Sequence, residues 1–253
     1  MVLYKKYHLK RMPVLPTIKP TSIGTRGLWI AFVVLGMWFV SLAFLLHYPL
    51  HLADPLVYVF ILLQMHLYTG LFITAHDSIH GVVAPENKRL NYWIGFVCAS
   101  LFAFNNYKTL SSKHHLHHRH AATHDDPDYH DGHPNFFLWF LAFAKEYISV
   151  VQIILMAVTY NVLKLWFLWE NLVAFWMIPA VLSTFQLFYF GTYLPHRGEH
   201  ENPPHNARSQ KLNHVWAFLS CYFFGYHFEH HAYPYLPWWR LPEARERVEA
   251  GRK

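Results

Sequence analysis

Charged residues are scarce in this 253-residue chain: Asp, Glu, Lys and Arg together make up 14%, against roughly 25% in an ordinary soluble domain. So few charges cannot cover a water-facing surface on a chain that is 54% hydrophobic and 19% aromatic, which points to a membrane protein. Cysteine is nearly absent. Cys98 and Cys221 lie inside apolar runs with neither disulfide nor ligand spacing, so both read as inert packing residues. No CxxC, no G-x-G-x-x-G and no haem motif is present, so the sequence shows no electron carrier of its own. Acidic residues are missing from residues 1–27, a proline-broken stretch that carries Lys5, Lys6, Lys10, Arg11, Lys19 and Arg26. It is too long for the charged end of a cleavable signal, and no small-residue cleavage site follows. It reads as a cytoplasmic leader; a nucleic-acid-binding arm does not suit a segment ahead of a membrane span.

What the chain has instead is long apolar runs. Leu28–Leu46 approaches the roughly 20 residues needed to cross a bilayer. After the break HYPLHLADP, Leu56–Ala75 crosses back. Leu90–Phe104 and Phe136–Ala144 are shorter and read as re-entrant or interfacial segments. Tyr147–Trp169 is the expected third span, Glu170 and Asn171 a tight turn, and Leu172–Leu194 the fourth span. Val215–Phe224 is a last short helix before a charged end, RLPEARERVEAGRK. The expectation is an all-α integral membrane protein with four transmembrane helices plus interfacial helices. Residues 1–27 form the leader, 28–242 the membrane domain and 243–253 a charged cytoplasmic tail.

Histidine is the other surplus. Six of the sixteen residues in KHHLHHRHAATHDDPD, from Lys113 to Asp128, are histidine. At about 100° per residue, a helix brings His114, His117 and His118 within an arc of roughly 100°, with His115 at its edge. Neutral imidazole is the commonest protein metal ligand. A His-rich surface loop that binds metal incidentally is the other reading of this tract. The spacing recurs, however: His227, His230 and His231 in YHFEHHAYP repeat H-x-x-H-H, and His76 and His80 form an H-x-x-x-H pair.

Lysine and arginine set the orientation. With a cytoplasmic N-terminus, every Lys and Arg except Lys164 falls on or near the cytoplasmic side, as the positive-inside rule requires. Four spans then bring His76, His80, His114, His117, His118, His196, His227, His230 and His231 to the same cytoplasmic end. Hydropathy and histidine spacing are independent signals, and they agree on one shared centre. One zinc takes about four ligands, so eight or nine imidazoles imply two metals. Imidazole alone does not choose between iron, zinc and copper.

The three boxes, in this order and placed around a long hydrophobic hairpin, resemble the membrane fatty acid desaturase and hydroxylase superfamily. HDSIHG (76–81), HHLHHRHAATHDDPD (114–128), FGTYLPHRGEH (190–200) and FGYHFEHHAYPYLPWWRLP (224–242) are similar to the blocks of the bacterial and cyanobacterial β-carotene ketolases. The resemblance covers roughly residues 70–242. It implies two iron ions held by the nine histidines above, dioxygen as co-substrate, a lipid-soluble carotenoid substrate entering from the bilayer, and electrons from reduced ferredoxin at the basic cytoplasmic face. The reaction implied is oxidation of the 4-position methylene of a β-ionone ring to a ketone. An unactivated C–H bond has no acidic proton for a side-chain base, so a metal–oxygen cofactor must do that chemistry. As a working split, His76, His80, His118 and His231 serve one iron, and His114, His117, His196, His227 and His230 the other.

Further residues have two readings each. Asp77, Asp125, Asp126 and Asp128 are candidates to orient ligand imidazoles through their second ring nitrogen; otherwise Asp77 is a helix-end charge and the Asp-Pro pair ends a helix. HDSIH is one methylene short of the zinc-protease H-E-x-x-H. His66 lies within a span, where an ionisable group signals function or a hydrogen bond to a neighbouring helix. His115, His120, His124, His130, His133, His200 and His205 read as surface, turn or outer-shell residues, and His47 and His51 as lying on the far side. Trp238 and Trp239 read as part of an interfacial belt or the mouth of a substrate tunnel. Two other functions compete: a fatty acid desaturase or hydroxylase, and a membrane metal carrier. A carrier places ligands along the membrane midplane, whereas these histidines gather at one end.

Overall fold

A computed structural model describes residues 15–19, 24–130, 135–198 and 202–251. Much of the leader (residues 1–14 and 20–23), together with His133, His200 and the last two residues of the chain, lies outside these.

Ten α-helices organise the described residues, and no strand occurs among them. Helix α1 (Arg26–Leu45) and α2 (Pro55–Ile79) are the first two apolar runs. Asp54 caps α2 by accepting from Leu56 N at 2.9 Å, with Pro55 preset for the first turn. α2 runs 25 residues, about 37 Å at ~1.5 Å per residue. It is therefore longer than the ~30 Å hydrocarbon core, and His76 lies in its last turn. Helices α3 (Lys88–Leu101) and α4 (Tyr107–His120) each have 14 residues, too short to span. Each begins at an asparagine whose side chain accepts from the third residue on, Asn87 from Leu90 N and Asn106 from Thr109 N.

The expected third span, Tyr147–Trp169, is shorter as a helix: α6 (Val150–Leu163) covers it only in part, and it meets α5 (Phe136–Tyr147), the expected interfacial run, at an 83° bend. Ile148 is extended, and Ser149 starts a new helix through a capping box with Gln152. The expected turn at Glu170–Asn171 is also corrected. The chain turns at residues 164–168 instead, and α7 (Trp169–His196) runs 28 residues without a break in helical form. Asn171 is buried because its amide donates to the carbonyls of Leu45, Leu46 and Tyr48 at 3.0, 3.3 and 2.8 Å, tying the start of α7 to the end of α1. Within α7, Leu172–Met177 and Tyr189–Tyr193 are π-helical.

Helices α1, α2 and α7 are each long and apolar enough to cross a membrane, and the bent α5–α6 pair is a fourth candidate. Large apolar side chains such as Phe39, Val40, Val151 and Ile153 point outward. α2 is the centre of the packing: Leu67, Tyr68, Leu71, Ile73 and Ala75 are all within its buried core.

After α7, helix α8 (His214–Cys221) ends where Tyr222 and Phe223 turn left-handed at φ of 48° and 60°. Helix α9 (His227–Ala232) follows, and then α10 (Leu241–Ala250). The charged C-terminal stretch is thus no free tail. Leu241, Ala244 and Val248 are buried, and Arg245 of α10 reaches Glu229 of α9 at 3.4 Å. The described end of the leader packs there too. Ile18 is buried, and the hydroxyls of Tyr233 and Tyr235 donate to the carbonyls of Pro16 and Ile18 at 2.8 Å each.

Candidate metal centre

Four elements end at one place: the C-termini of α2 and α7, the body of α4, and α9. They carry nine imidazoles that fall into two groups. His76, His80, His114, His118 and His230 form one, and His117, His196, His227 and His231 the other. Within each group the ligand nitrogens all lie within 4.8 Å of one another.

This division differs from the working split at three residues. His114 and His230 join His76 and His80, while His231 joins His117. Helix geometry gives the reason. Residues four apart differ by only about 40° on a helix, while those three apart diverge by about 60°. His114 and His118 therefore face one group together and His117 the other. On α9, His227 and His231 pair in the same way, and His230 turns to the opposite group.

The imidazoles converge through Nε2. The Nε2–Nε2 separations are 2.8 Å for His80–His114, 2.9 Å for His118–His230, 3.2 Å for His76–His230, and 3.0 Å for both His117–His231 and His231–His227. Two nitrogens bound to one metal at ~2.1 Å and about a right angle apart sit ~3 Å from each other. Both groups thus have the spacing of a coordination shell. Burial and the neighbouring imidazoles hold His114, His227, His230 and His231 well below the ordinary histidine value, and His118 down to about 2. Both influences favour the neutral ring that metal binding requires.

Second ring nitrogens fix the orientation. His117 Nδ1–H donates to Asp126 Oδ1 at 2.9 Å, and His196 Nδ1–H to the Asn206 carbonyl at 2.9 Å. His76 Nδ1 lies 3.4 Å from Asp77 Oδ1. Such contacts set the tautomer and aim Nε2 inward. Asp126 is itself held by Ala122 N and Asp128 N at 2.8 and 2.9 Å. Burial tends to lower the His117 value, but the carboxylates of Asp128 and Asp126 outweigh it and leave the imidazole raised.

Asp125 is a correction. Its side chain is 75% exposed, lies 3.7 Å from the exposed His124 and belongs to neither group, whereas those of Asp126 and Asp128 turn inward toward His117. Asp128 stands 3.8 Å from His117 and accepts from the Tyr147 hydroxyl; burial pushes it up to about 6.

Other histidines fall outside the groups. His115 is exposed, and His205 is half-buried with its ring 6.4 Å from that of His231. His66 stacks on Tyr222 at 4.4 Å rather than hydrogen-bonding across helices. His47 packs on Phe167 beside the turn that precedes α7, far along the chain from the boxes. Trp238, which the sequence left between two readings, donates its backbone N–H to Asp77 Oδ2 at 2.9 Å, and its ring stacks on Phe218 and Phe223. It seats the segment after the third box against the end of α2.

A cavity of about 550 Å³ opens beside the imidazoles. His76, His114, His117 and His227 line its inner end, and Phe72, Phe143, Met156, Ala180 and Leu187 its apolar walls. Phe224 closes it against both groups, with ring centroids 4.9 Å from His76 and 5.1 Å from His227. Gly191 permits this approach, since a Cβ there would meet the Phe224 ring at 2.4 Å.

The family model described as Fatty acid desaturase matches residues 53–151 and 133–252. The beta-carotene ketolase of Paracoccus sp. (strain PC1) is 40% identical over 236 residues, covering 90% of this chain and 96% of its own length. The chain belongs to the fatty acid desaturase family, among the carotenoid ketolases. This desaturase-family chain is also 36% identical over 264 residues to beta-carotene 4-ketolase 3 of Haematococcus lacustris, covering 90% of itself and 81% of that protein. To the zeaxanthin 4-ketolase of Chlamydomonas reinhardtii it is 40% identical over 233 residues, and it spans about half of that relative's length (52%).

Proposed function

We propose that this protein is a β-carotene 4-ketolase, which oxidises the ring methylene at C4 to a ketone by two successive oxygenations at one carbon. The observation that carries the reading is the apolar cavity ending on two groups of imidazoles, in a chain whose relatives are named as 4-ketolases. The donor set fits two iron ions, one of which His76, His80, His114, His118 and His230 would hold, and the other His117, His196, His227 and His231. When bound, they supply the oxygen activation that side chains cannot.

The chain's own residues do the rest. Phe224 and the apolar walls exclude water and set the ring against the imidazoles. Asp126, Asp77 and the Asn206 carbonyl hold ligand rings in one tautomer. The target C–H is allylic, so the radical left by its cleavage is delocalised into the polyene. Each oxygenation consumes one dioxygen, two electrons and two protons, and converts C–H to C–OH with release of one water. A second at the same carbon gives a geminal diol, which loses water to give the ketone. The electrons come from reduced ferredoxin.

The membrane reading belongs to the same proposal. α1, α2, the α5–α6 pair and α7 cross the cytoplasmic membrane, with both termini and the metal centre on the cytoplasmic side. The basic N-terminal segment and the placement of Lys and Arg support it.

The test is product analysis. Membranes given β-carotene, iron, dioxygen and reduced ferredoxin should form echinenone first and canthaxanthin later, with a trace of 4-hydroxy intermediate when electrons are limiting. Products hydroxylated only at C3 would move the protein to the carotenoid hydroxylases. New acyl double bonds beside untouched carotene would move it to the desaturases.

A further inference from the structure

Threonines within membrane helices usually satisfy their own hydroxyl locally. Thr69 and Thr74 of α2 and Thr184 of α7 each donate to the carbonyl four residues back, at 3.1, 2.8 and 2.9 Å. Thr192 departs from this pattern. It is buried, it lines the cavity, and no hydrogen bond among the described residues engages its hydroxyl. It sits in the π-helical turn Tyr189–Tyr193, where the widened backbone changes the register of the preceding carbonyls. It also precedes His196 by four residues, which puts the two on one face of α7.

Several other polar groups that line the cavity are engaged, among them Asn161 and Thr184, which bond within their own helices. Asp128 and Tyr147 bond to each other, and the Asn105 amide donates to the Phe102 carbonyl at 2.8 Å. Thr192 is therefore an uncommitted donor and acceptor in a cavity that His76, His114, His117 and His227 also line. A hydrocarbon ring has no use for it. The half-oxidised ring does, because it carries an alcohol, and an alcohol left unpaired in apolar surroundings is penalised by roughly tenfold or more in affinity.

We propose that the Thr192 hydroxyl binds the C4 alcohol of the half-oxidised ring and retains it in the cavity for the second oxygenation. This rests on the ketolase reading above. Thr192 would discriminate between the alcohol and its hydrocarbon precursor, and so set how much product leaves as ketone rather than alcohol.

Two measurements on the iron-loaded protein test it. In membranes turning over β-carotene, Thr192→Val should raise the ratio of 4-hydroxy to 4-keto products by roughly five- to tenfold, and Thr192→Ser should restore the wild-type ratio. Under anaerobic conditions without reductant, binding of 4-hydroxy-β-carotene, read from the polyene absorption, should weaken by a similar factor in Thr192→Val. Binding of β-carotene itself should not change. An unaltered product ratio and unaltered alcohol affinity in Thr192→Val, with iron content equal to wild type, would overturn the proposal. If the wild-type protein makes no C4 product at all, the ketolase reading fails instead, and the anaerobic binding comparison still decides whether Thr192 recognises the alcohol.

Discussion

His117 and Asp126 are locked together: Nδ1 of the imidazole lies 2.9 and 3.0 Å from the two carboxylate oxygens, and both side chains are almost wholly buried. A carboxylate in this position fixes the tautomer that leaves Nε2 free for a metal. It also explains why the second box continues into HDDPD: the turn after α4 returns a carboxylate to the helix it has just left.

Asp126→Asn should therefore cost roughly 10- to 100-fold in iron affinity or activity, although the amide is the same size. Asp125→Asn should leave iron content near wild type, because its side chain faces solvent. Iron per purified chain separates the two. Equal losses in both variants would show that the turn, not the specific hydrogen bond, is what matters.

A second pair of substitutions tests the helical reading of α4. His117→Ala and His118→Ala should abolish iron retention, each emptying a position in a different group. His115→Ala should retain substantial iron and activity, since His115 is exposed. Inactivity of His115→Ala in equally folded protein would contradict the placement.

Arg245 and Glu229 form a buried pair between α10 and the third box. Arg245→Met should destabilise the protein by roughly 3–5 kcal/mol, because it removes the cation from a buried carboxylate. Thermal unfolding in detergent measures this. The double variant Arg245→Met/Glu229→Gln should recover part of the loss; no recovery would mean that packing of the arginine stem, not charge, is responsible.

Topology is tested by reporter fusions. Fusions after Pro49 and after Trp166 should read as external, and fusions after His130 and at the C-terminus as internal. An internal reading at Trp166 would make the α5–α6 pair re-entrant and place His196 across the membrane from the boxes.

Box spacing is legible in the sequence because it is local. Residues three and four apart share or leave a helix face whatever the rest of the chain does, so His114, His117 and His118 could be seen to converge. The same arithmetic holds the division between the two groups, since His114 pairs with His118 and His227 with His231; the working split did not follow it. The ends of α1 and the start of α2 were readable from their flanking polar residues, but α2 runs past Ala75 to Ile79 because His76, Asp77 and Ser78, though polar, are buried in it. The boundary between α5 and α6 was readable too, since Lys145 and Glu146 interrupt the apolar run there, but the early end of α6 at Leu163 was not, because the residues after it stay mostly apolar. Asn171 looked like a turn because its polarity is visible, while the carbonyls of Leu45, Leu46 and Tyr48 that it satisfies are more than a hundred residues away. The choice of Asp126 over Asp125 depends on the exact register of a turn. Thr192 stands out only once the π-helical turn and the cavity are known.

The most direct test of the central claim, that two imidazole groups form one dinuclear iron centre, is X-ray absorption at the iron edge on protein of known iron content. Two irons per chain, with a first shell of nitrogen and oxygen scatterers dominated by imidazole, is the result expected. A single isolated iron per chain, or sulfur in the first shell, would contradict it.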